Sequence, residues 1–81
     1  MMDFGDAIKL LRRGHKLARK GWNGKNQYIE LAYRISYVNA FHDEINVDHE
    51  CIGNRAIAFV GTQGVQIGWL ASQADMLADD W

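Results

Sequence analysis

Six residues whose side chains can bind a metal ion or act as a base lie close together in the middle of the sequence. They are His42, Asp43, Asp48, His49, Glu50 and Cys51. Zinc sites place their ligands at short fixed spacings, such as H-E-x-x-H or paired C-x-x-C, and neither spacing occurs here. The segment therefore predicts an exposed polar loop and no metal site.

No residue has the setting of an activated nucleophile. Cys51 lies beside Asp48 and Glu50, and nearby negative charge disfavours the reactive thiolate. Ser72 lacks the G-x-S-x-G pattern of hydrolase serines and is better explained as a helix cap. No general acid/base pair is recognisable, and the phosphate-binding patterns G-x-x-x-x-G-K-S/T and G-x-G-x-x-G are absent. We therefore predict no catalytic residues and no cofactor.

Side chains suited to ligand binding are more numerous than catalytic candidates. They are aromatic, cationic, and amide or carboxylate side chains. Aromatic rings on which a nucleobase could stack are Trp22, Trp69, Trp81, Tyr28, Tyr33 and Tyr37. Possible phosphate partners are Arg12, Arg13, Lys16, Arg19, Lys20 and Lys25. Possible partners for ribose hydroxyls or base edges are Asn23, Gln73, Asp75 and Asp79. Core packing is the alternative for each aromatic residue, because large rings dominate small cores. We make an exception of Trp22, which lies in a turn rich in Gly and Asn and is expected to reach into a pocket or a neighbouring subunit.

The first half of the chain predicts one helix and two strands that would carry these residues. In residues 3–14, Asp3 can cap a helix, apolar residues recur three and four positions apart, and Gly14 follows two arginines at the end. Residues 15–22 predict a short cationic strand. Residues 27–38 alternate apolar and polar side chains and predict a longer strand.

The second half predicts a hairpin and a short final helix. Residues 39–55 show neither periodicity and predict an irregular, acidic, partly exposed segment. Residues 56–60 and 65–69 flank a G-T-Q-G turn, and Ser72 with Asp75 has the spacing of a capping box. The fold class is therefore α+β, a small antiparallel sheet with an N-terminal helix and a short C-terminal helix, in one domain of residues 1–81.

Charge is distributed unevenly along the 81 residues. The net charge is −1, but residues 1–34 carry +5 and residues 35–81 carry −6. A basic half attracts phosphates, although the two halves could instead attract each other within or between subunits. A chain this short buries only about 60–65% of its unfolded surface, which makes a homo-oligomer plausible.

Cysteine content and hydropathy indicate the compartment. A lone cysteine suits a reducing environment, and no apolar run approaches the roughly 18 residues of a membrane span. The N-terminus has an early acidic residue and no cleavage-site pattern, so it does not resemble a signal peptide. We expect an intracellular protein with no membrane partner.

Three stretches carry a resemblance to a known family. W-L-A-S-Q-A-D-M-L-A-D-D-W at residues 69–81, F-G-D-A-I-K-L-L-R-R-G near the start and the A-R-K-G-W-N-G turn resemble the Thoeris anti-defence 2 family. The resemblance implies a small phage-encoded sponge without enzymatic activity, acting in the cytoplasm of the infected bacterium. It would sequester cyclic ADP-ribose-type signals made by TIR-domain proteins. Some relatives also hold cyclic dinucleotides in a separate site, and the family tends to form homotetramers with pockets between subunits.

Carried onto this chain, the resemblance implies ligand-binding roles for residues of the turn and the ending. They are Arg19, Trp22, Asn23, Trp69, Gln73 and Asp75. Asp75 is equally well explained as a helix cap together with Ser72. Four apolar residues of the ending are expected to be packing residues. They are Leu70, Ala74, Leu77 and Ala78.

Two other functions are kept as alternatives to the sponge. One is an enzyme that degrades the same signal, using the segment between His42 and His49 with a metal. The other is a nucleic-acid-binding or protein-binding module. Binding to a nucleic acid polymer is not expected, because only the N-terminal half is basic and the whole chain is slightly acidic.

Overall fold

The fold is known from a computed structural model that describes residues 1–22, 26–46 and 55–81. Its elements are α1 (Phe4–Arg12), β1 (Tyr28–Ala32), β2 (Ser36–Val38), β3 (Glu44–Asn46), β4 (Ala56–Gly61), β5 (Gly64–Ile67) and α2 (Gln73–Leu77). One sheet has the strand order β1-β4-β5 and a second pairs β2 with β3. All of these pairs are antiparallel, which confirms the predicted α+β class.

Helix α1 begins and ends where its sequence predicts. The Asp3 side chain accepts a hydrogen bond from the Asp6 backbone N–H at 2.9 Å, as a helix cap does. Gly14 follows the helix with φ of 91°, a left-handed conformation that glycine adopts without steric cost. The apolar stripe of α1 buries Ala7 and Leu11 against the sheet.

The hairpin of β4 and β5 also confirms its prediction, with Gly61 opposite Gly64 at the turn. Strand β1 pairs with the other side of β4, which places Ile29 opposite Phe59 and Leu31 opposite Ile57. Residues directly opposite each other share a face of a sheet. This face therefore points toward α1 and the core.

The strand predicted for residues 15–22 is wrong. Only Leu17 makes ladder bonds, donating to Ile29 at 3.0 Å and accepting from it at 2.8 Å. Beyond it the backbone turns to the end of the chain, because the Lys20 N–H donates to the Asp80 carbonyl at 3.1 Å. Those backbone groups are satisfied outside a sheet, which the local sequence does not reveal.

The single strand predicted for residues 27–38 is two strands in two sheets. Strand β1 ends at Ala32, opposite Ala56, and the chain bends at Arg34. Strand β2 then pairs with β3, so part of the segment predicted to be irregular is a strand. Residues 47–54 of that segment lie outside the described residues.

The core is small and includes residue 81. Its main cluster is formed by Ala7, Leu11, Leu17, Ile29 and Trp81, and Ala58 of β4 is also buried. The backbones of Met2 and Trp81 exchange two hydrogen bonds, at 3.0 and 3.1 Å, which hold the two ends of the described chain together.

Two of the four residues expected to pack near the C-terminus are almost fully exposed. Leu70 is 89% and Leu77 is 83% exposed, and Ala74 is also exposed. Ala78 packs against the core, as predicted. Leu70 precedes α2, and α2 itself has only five residues, little more than one turn, so it presents too narrow a face to bury both Ala74 and Leu77.

Residues 36–46 form a hairpin whose strands β2 and β3 pack mainly against each other. Among the described residues, no helix is both long and apolar enough to cross a membrane.

Candidate functional site

Five aromatic rings from distant parts of the chain meet in one group, the aromatic cluster. They are Phe4, Trp22, Phe59, Trp69 and Trp81. Trp22 is central, with its ring centroid 5.3 Å from that of Trp81, 5.7 Å from Phe59 and 6.2 Å from Trp69. The three contacts are edge-to-face, a geometry in which a positive ring edge meets a negative face.

The expectation that Trp22 leaves the core of its own subunit is therefore wrong. The ring is half-buried and packs against the core cluster, and its indole N–H donates to Asp75 Oδ1 at 3.2 Å. The composition of the turn led to the wrong prediction for Trp22, because local sequence does not show which distant residues cover a turn. A ligand-binding role for Trp22 stays a prediction, made by the part of the ring that remains exposed.

The Arg19 network, formed by Arg19, Asp75 and Asp80, lies beside the aromatic cluster. Arg19 Nη1 donates to Asp75 Oδ1 at 2.7 Å, and Arg19 Nε donates to Asp80 Oδ1 at 2.9 Å. The Gly21 backbone N–H donates to Asp80 Oδ2 at 2.8 Å. A Cβ at position 21 would lie 3.0 Å from that oxygen, so glycine allows this close approach. The network ties the turn before Trp22 to the end of the chain.

Asp75 accepts hydrogen bonds from three residues at once. Besides Arg19 and Trp22, Ser72 donates both its backbone N–H, at 3.1 Å, and its hydroxyl, at 2.9 Å, to Asp75 Oδ2. The Ser72 hydroxyl in turn accepts from the Asp75 N–H at 3.1 Å, which confirms the capping box. Asp75 is the buried acidic residue at the centre of the site, at 9% exposure.

These contacts set the protonation of the network. Burial alone raises the pKa of Asp75, but hydrogen bonds from Arg19, Ser72 and Trp22 outweigh it and lower the pKa from 3.8 to about 2. Hydrogen bonding to Arg19 lowers the pKa of Asp80, and the bonds to Asp80 and Asp75 raise the pKa of Arg19. The network is therefore fully ionised at neutral pH.

The lowered pKa of Asp75 predicts a loss of stability in acid. The carboxylate stabilises the fold above its unfolded pKa of 3.8, and this contribution disappears as the pH falls through the folded value of about 2. The melting temperature should therefore drop between about pH 4 and pH 2. An Asp75→Asn variant, which has no proton to gain at this position, should show a shallower drop. Equal pH slopes for the two proteins would contradict the assignment.

Carboxylate partners limit what the Arg19 network can bind. One arginine and two carboxylates give the network a net charge of −1, which disfavours a phosphate there. Two other predicted site residues are placed differently. Gln73 is exposed at the start of α2, and Asn23 lies outside the described residues.

A groove beside the aromatic cluster is lined by two arginines, and we call it the arginine groove. It is lined by Arg12, Leu31, Arg55, Ala56, Ile57, Gly68 and Trp69, and its volume is about 440 Å³. Neither Arg12 nor Arg55 forms a salt bridge with another described residue. The groove combines two positive charges, an apolar floor and one indole ring, which suits a flat anionic ligand.

A second recess of about 480 Å³ lies at the β4–β5 turn. Its lining is Gln27, Phe59, Gly61, Thr62, Gln63, Gly64, Val65 and Gln66. Amide and hydroxyl groups without a charged side chain make it less suited to phosphate than the arginine groove.

In residues 1–22, 26–46 and 55–81, no three His, Cys, Asp or Glu side chains are grouped closely enough to hold a metal ion. Of the six residues considered for a metal, Asp48, His49, Glu50 and Cys51 lie outside those ranges.

Trp69 is the residue of the predicted binding set that lines the arginine groove. Arg12 stood among the possible phosphate partners, whereas Arg55 was missed altogether. A signal for it exists in the sequence, because Arg55 is the single basic residue among the seven acidic ones of residues 35–81, His excluded. An isolated cation in an acidic half is a candidate for a specific anionic partner.

Comparison with known proteins places the whole chain in one family. The sequence model of the Thoeris anti-defense 2-like domain family matches residues 2–81. A protein of Bacillus phage SP01 named Thoeris anti-defense 2 is 38% identical over 85 residues. That similarity covers 99% of this chain and 91% of the phage protein.

Proposed function

The chain belongs to the Thoeris anti-defense 2-like family, and on that premise we propose that it blocks an antiviral defence by sequestering a cyclic nucleotide signal. The signal would be of the cyclic ADP-ribose type made by TIR-domain proteins. The protein would act as a homotetramer in the cytoplasm of an infected bacterium, without catalysing a reaction. Cyclic dinucleotides are a second ligand class to test.

The arginine groove is the observation that carries this proposal. A cyclic ADP-ribose-type molecule combines a purine with a pyrophosphate, so it needs both an aromatic face and cations. Trp69 offers the face, and Arg12 and Arg55 can each engage phosphate oxygens through two parallel hydrogen bonds. The volume of about 440 Å³ is within the range of about 300–1,000 Å³ for small-molecule sites.

The lining of the groove also favours binding over catalysis. Its titratable side chains are two arginines, which stay protonated in proteins and cannot act as a base. Sequestration needs only affinity, and a nanomolar dissociation constant corresponds to about −12 kcal/mol. This binding free energy would come from a stacked base, charge-assisted phosphate contacts and closure of the open groove by a second subunit.

One experiment separates the sponge from an enzyme that degrades the same ligand. The protein is mixed with each of a panel of cyclic ADP-ribose isomers, and loss of free nucleotide is measured by filtration. The protein is then denatured, and the released material is analysed by chromatography. Intact nucleotide supports the sponge, altered nucleotide supports the enzyme, and no depletion with any isomer contradicts the choice of ligand class.

Arg55→Ala is expected to weaken nucleotide binding about tenfold or more. A hydrogen bond to a charged group contributes about 1.5–3 kcal/mol, and Arg55 is exposed and outside the core, so folding should be unaffected. Arg13→Ala is the matched control, because it removes the same charge from an exposed arginine that does not line the groove. Calorimetric titration of both variants tests this. Equal affinities for the two would remove Arg55 from the site.

Titration with salt addresses the nucleic-acid alternative. Binding of random single-stranded DNA through many phosphates weakens steeply as salt is added. A ligand held by two arginines and one ring should show a shallow dependence. A steep dependence together with tight DNA binding would favour the nucleic-acid module instead.

A further inference from the structure

Strand β5 ends in a β-bulge at the edge of the arginine groove. The backbone N–H groups of Gly68 and Trp69 donate to the same acceptor, the Ile57 carbonyl, at 3.1 and 2.8 Å. Two consecutive residues that lie opposite one residue of the neighbouring strand define a bulge. Gly68 has a φ of 93°, the left-handed conformation that the first residue adopts in the glycine type of bulge.

The bulge determines the face of the sheet on which Trp69 lies. Ile67 lies opposite Ala58, and an uninterrupted pairing would place Trp69, two residues later, opposite Ala56. Side chains alternate between the two faces of a sheet, so Ala56 and Ile57 belong to opposite faces. Ile57 is on the face that packs against α1 and the core. Without the extra residue, the indole would therefore lie on the other face.

The observed position of Trp69 is the one that the bulge produces. Trp69 lies with Ile57 in the lining of the arginine groove. Its ring centroid is 6.2 Å from that of Trp22 and 6.2 Å from that of Trp81, both in the aromatic cluster. One extra residue in β5 thus gives the groove its aromatic ring.

Position 68 requires a particular backbone conformation and is not crowded. Apart from its chain neighbours, no heavy atom of the described residues lies within 4 Å of the place where a Cβ would be. A left-handed φ is nevertheless disfavoured for residues with a Cβ, most strongly for β-branched ones, whereas asparagine tolerates it. We propose that Gly68 is a positioning residue of the nucleotide site, which acts through the bulge by turning the indole of Trp69 into the arginine groove. The inference rests on the proposed function and names what holds its stacking surface.

Two substitutions at position 68 test the role of its conformation. Gly68→Val and Gly68→Asn both add a side chain, but only asparagine tolerates the left-handed φ of the bulge. Gly68→Asn should therefore bind nucleotide about as tightly as the unmodified protein. Gly68→Val should bind about 5- to 150-fold more weakly, the contribution of one stacked base. Calorimetric titration well below each melting temperature, with the cyclic ADP-ribose isomer that the unmodified protein depletes most, measures both. Equal affinities of the two variants, whether retained or lost, overturn the inference.

Gly14→Val is the matched control for backbone strain. Gly14 has a φ of 91°, and again no heavy atom of the described residues, chain neighbours aside, lies within 4 Å of its Cβ position. It does not belong to the lining of the groove. Gly14→Val should lower the melting temperature about as much as Gly68→Val does, yet keep the nucleotide affinity of the unmodified protein. An equal loss of affinity in Gly14→Val would show that strain anywhere in the fold is sufficient, and would overturn the role of the bulge.

The position of the indole can be measured without nucleotide. Nuclear Overhauser effects between the Trp69 indole and the Ile57 side chain should be present in the unmodified protein and in Gly68→Asn, and absent in Gly68→Val. A Gly68→Val protein that keeps them contradicts the control of Trp69 by the bulge. An unmodified protein that binds none of the isomers overturns the proposed function, and with it the binding role of Gly68. An unmodified protein that binds an isomer no better than Gly68→Val does overturns the inference alone.

Discussion

Replacing Asp75 by alanine is expected to lower the free energy of unfolding by about 3 kcal/mol. The carboxylate is a buried member of an ion pair, and removal of one partner from such a pair costs about 3–5 kcal/mol. The low end applies because Arg19 keeps its second partner, Asp80. The substitution also removes one half of the capping box with Ser72 and the acceptor of the Trp22 indole N–H.

Thermal unfolding measures this loss directly. For a domain of this size, 1 kcal/mol corresponds to about 4–8 °C, so the melting temperature should fall by more than about 10 °C. Asp79→Ala is the control, since Asp79 is an exposed aspartate four positions along the same segment that makes no side-chain hydrogen bond with the described residues. If Asp75→Ala melted at the same temperature as Asp79→Ala, the Arg19 network would contribute little to the stability of the fold.

Trp22→Ala is expected to destabilise the fold by about 3 kcal/mol as well. Truncation of a buried tryptophan costs about 3–5 kcal/mol, and the half-buried position of Trp22 places it at the low end. Three edge-to-face contacts and one hydrogen bond are lost together. Trp22→Phe keeps a ring in the cluster and removes the indole donor, so it should cost only about 1 kcal/mol.

Melting of both variants, with nucleotide titration of whichever remains folded, distinguishes the two roles of Trp22. A core role predicts that stability falls in the order wild type, Trp22→Phe, Trp22→Ala. An additional stacking role predicts that Trp22→Phe, although folded, binds the nucleotide more weakly. A Trp22→Ala protein as stable as wild type would contradict the packing assigned to the aromatic cluster.

Features of the fold that depend on neighbouring residues were predictable from the sequence. The Asp3 cap, the stop at Gly14, the Ser72–Asp75 capping box and the β4–β5 turn each involve residues three or four positions apart. Their hydrogen bonds form within one turn of chain, so their residue types are sufficient evidence. The α+β class followed from the same local signals.

Features that depend on distant residues were not predictable in this way. Arg19 is 56 positions from Asp75 and 61 from Asp80, and nothing near Arg19 indicates either partner. The alternation of residues 27–38 is real, but a strand ends where its partner ends, and the pairing of β1 with β4 stops at Ala32. In the same way, residue types alone do not show that Arg55 and Trp69 line one groove.

The bonding of Met2 to Trp81 has a consequence for synthesis of the protein. The ribosome adds about 5–20 residues per second, so residue 81 follows residue 2 by several seconds. During that time Ala7, Leu11 and Ile29 have no indole to cover them, and Arg19 has no carboxylate partner. We therefore expect the nascent chain to become protease-resistant late, once the residues that close the core have left the exit tunnel.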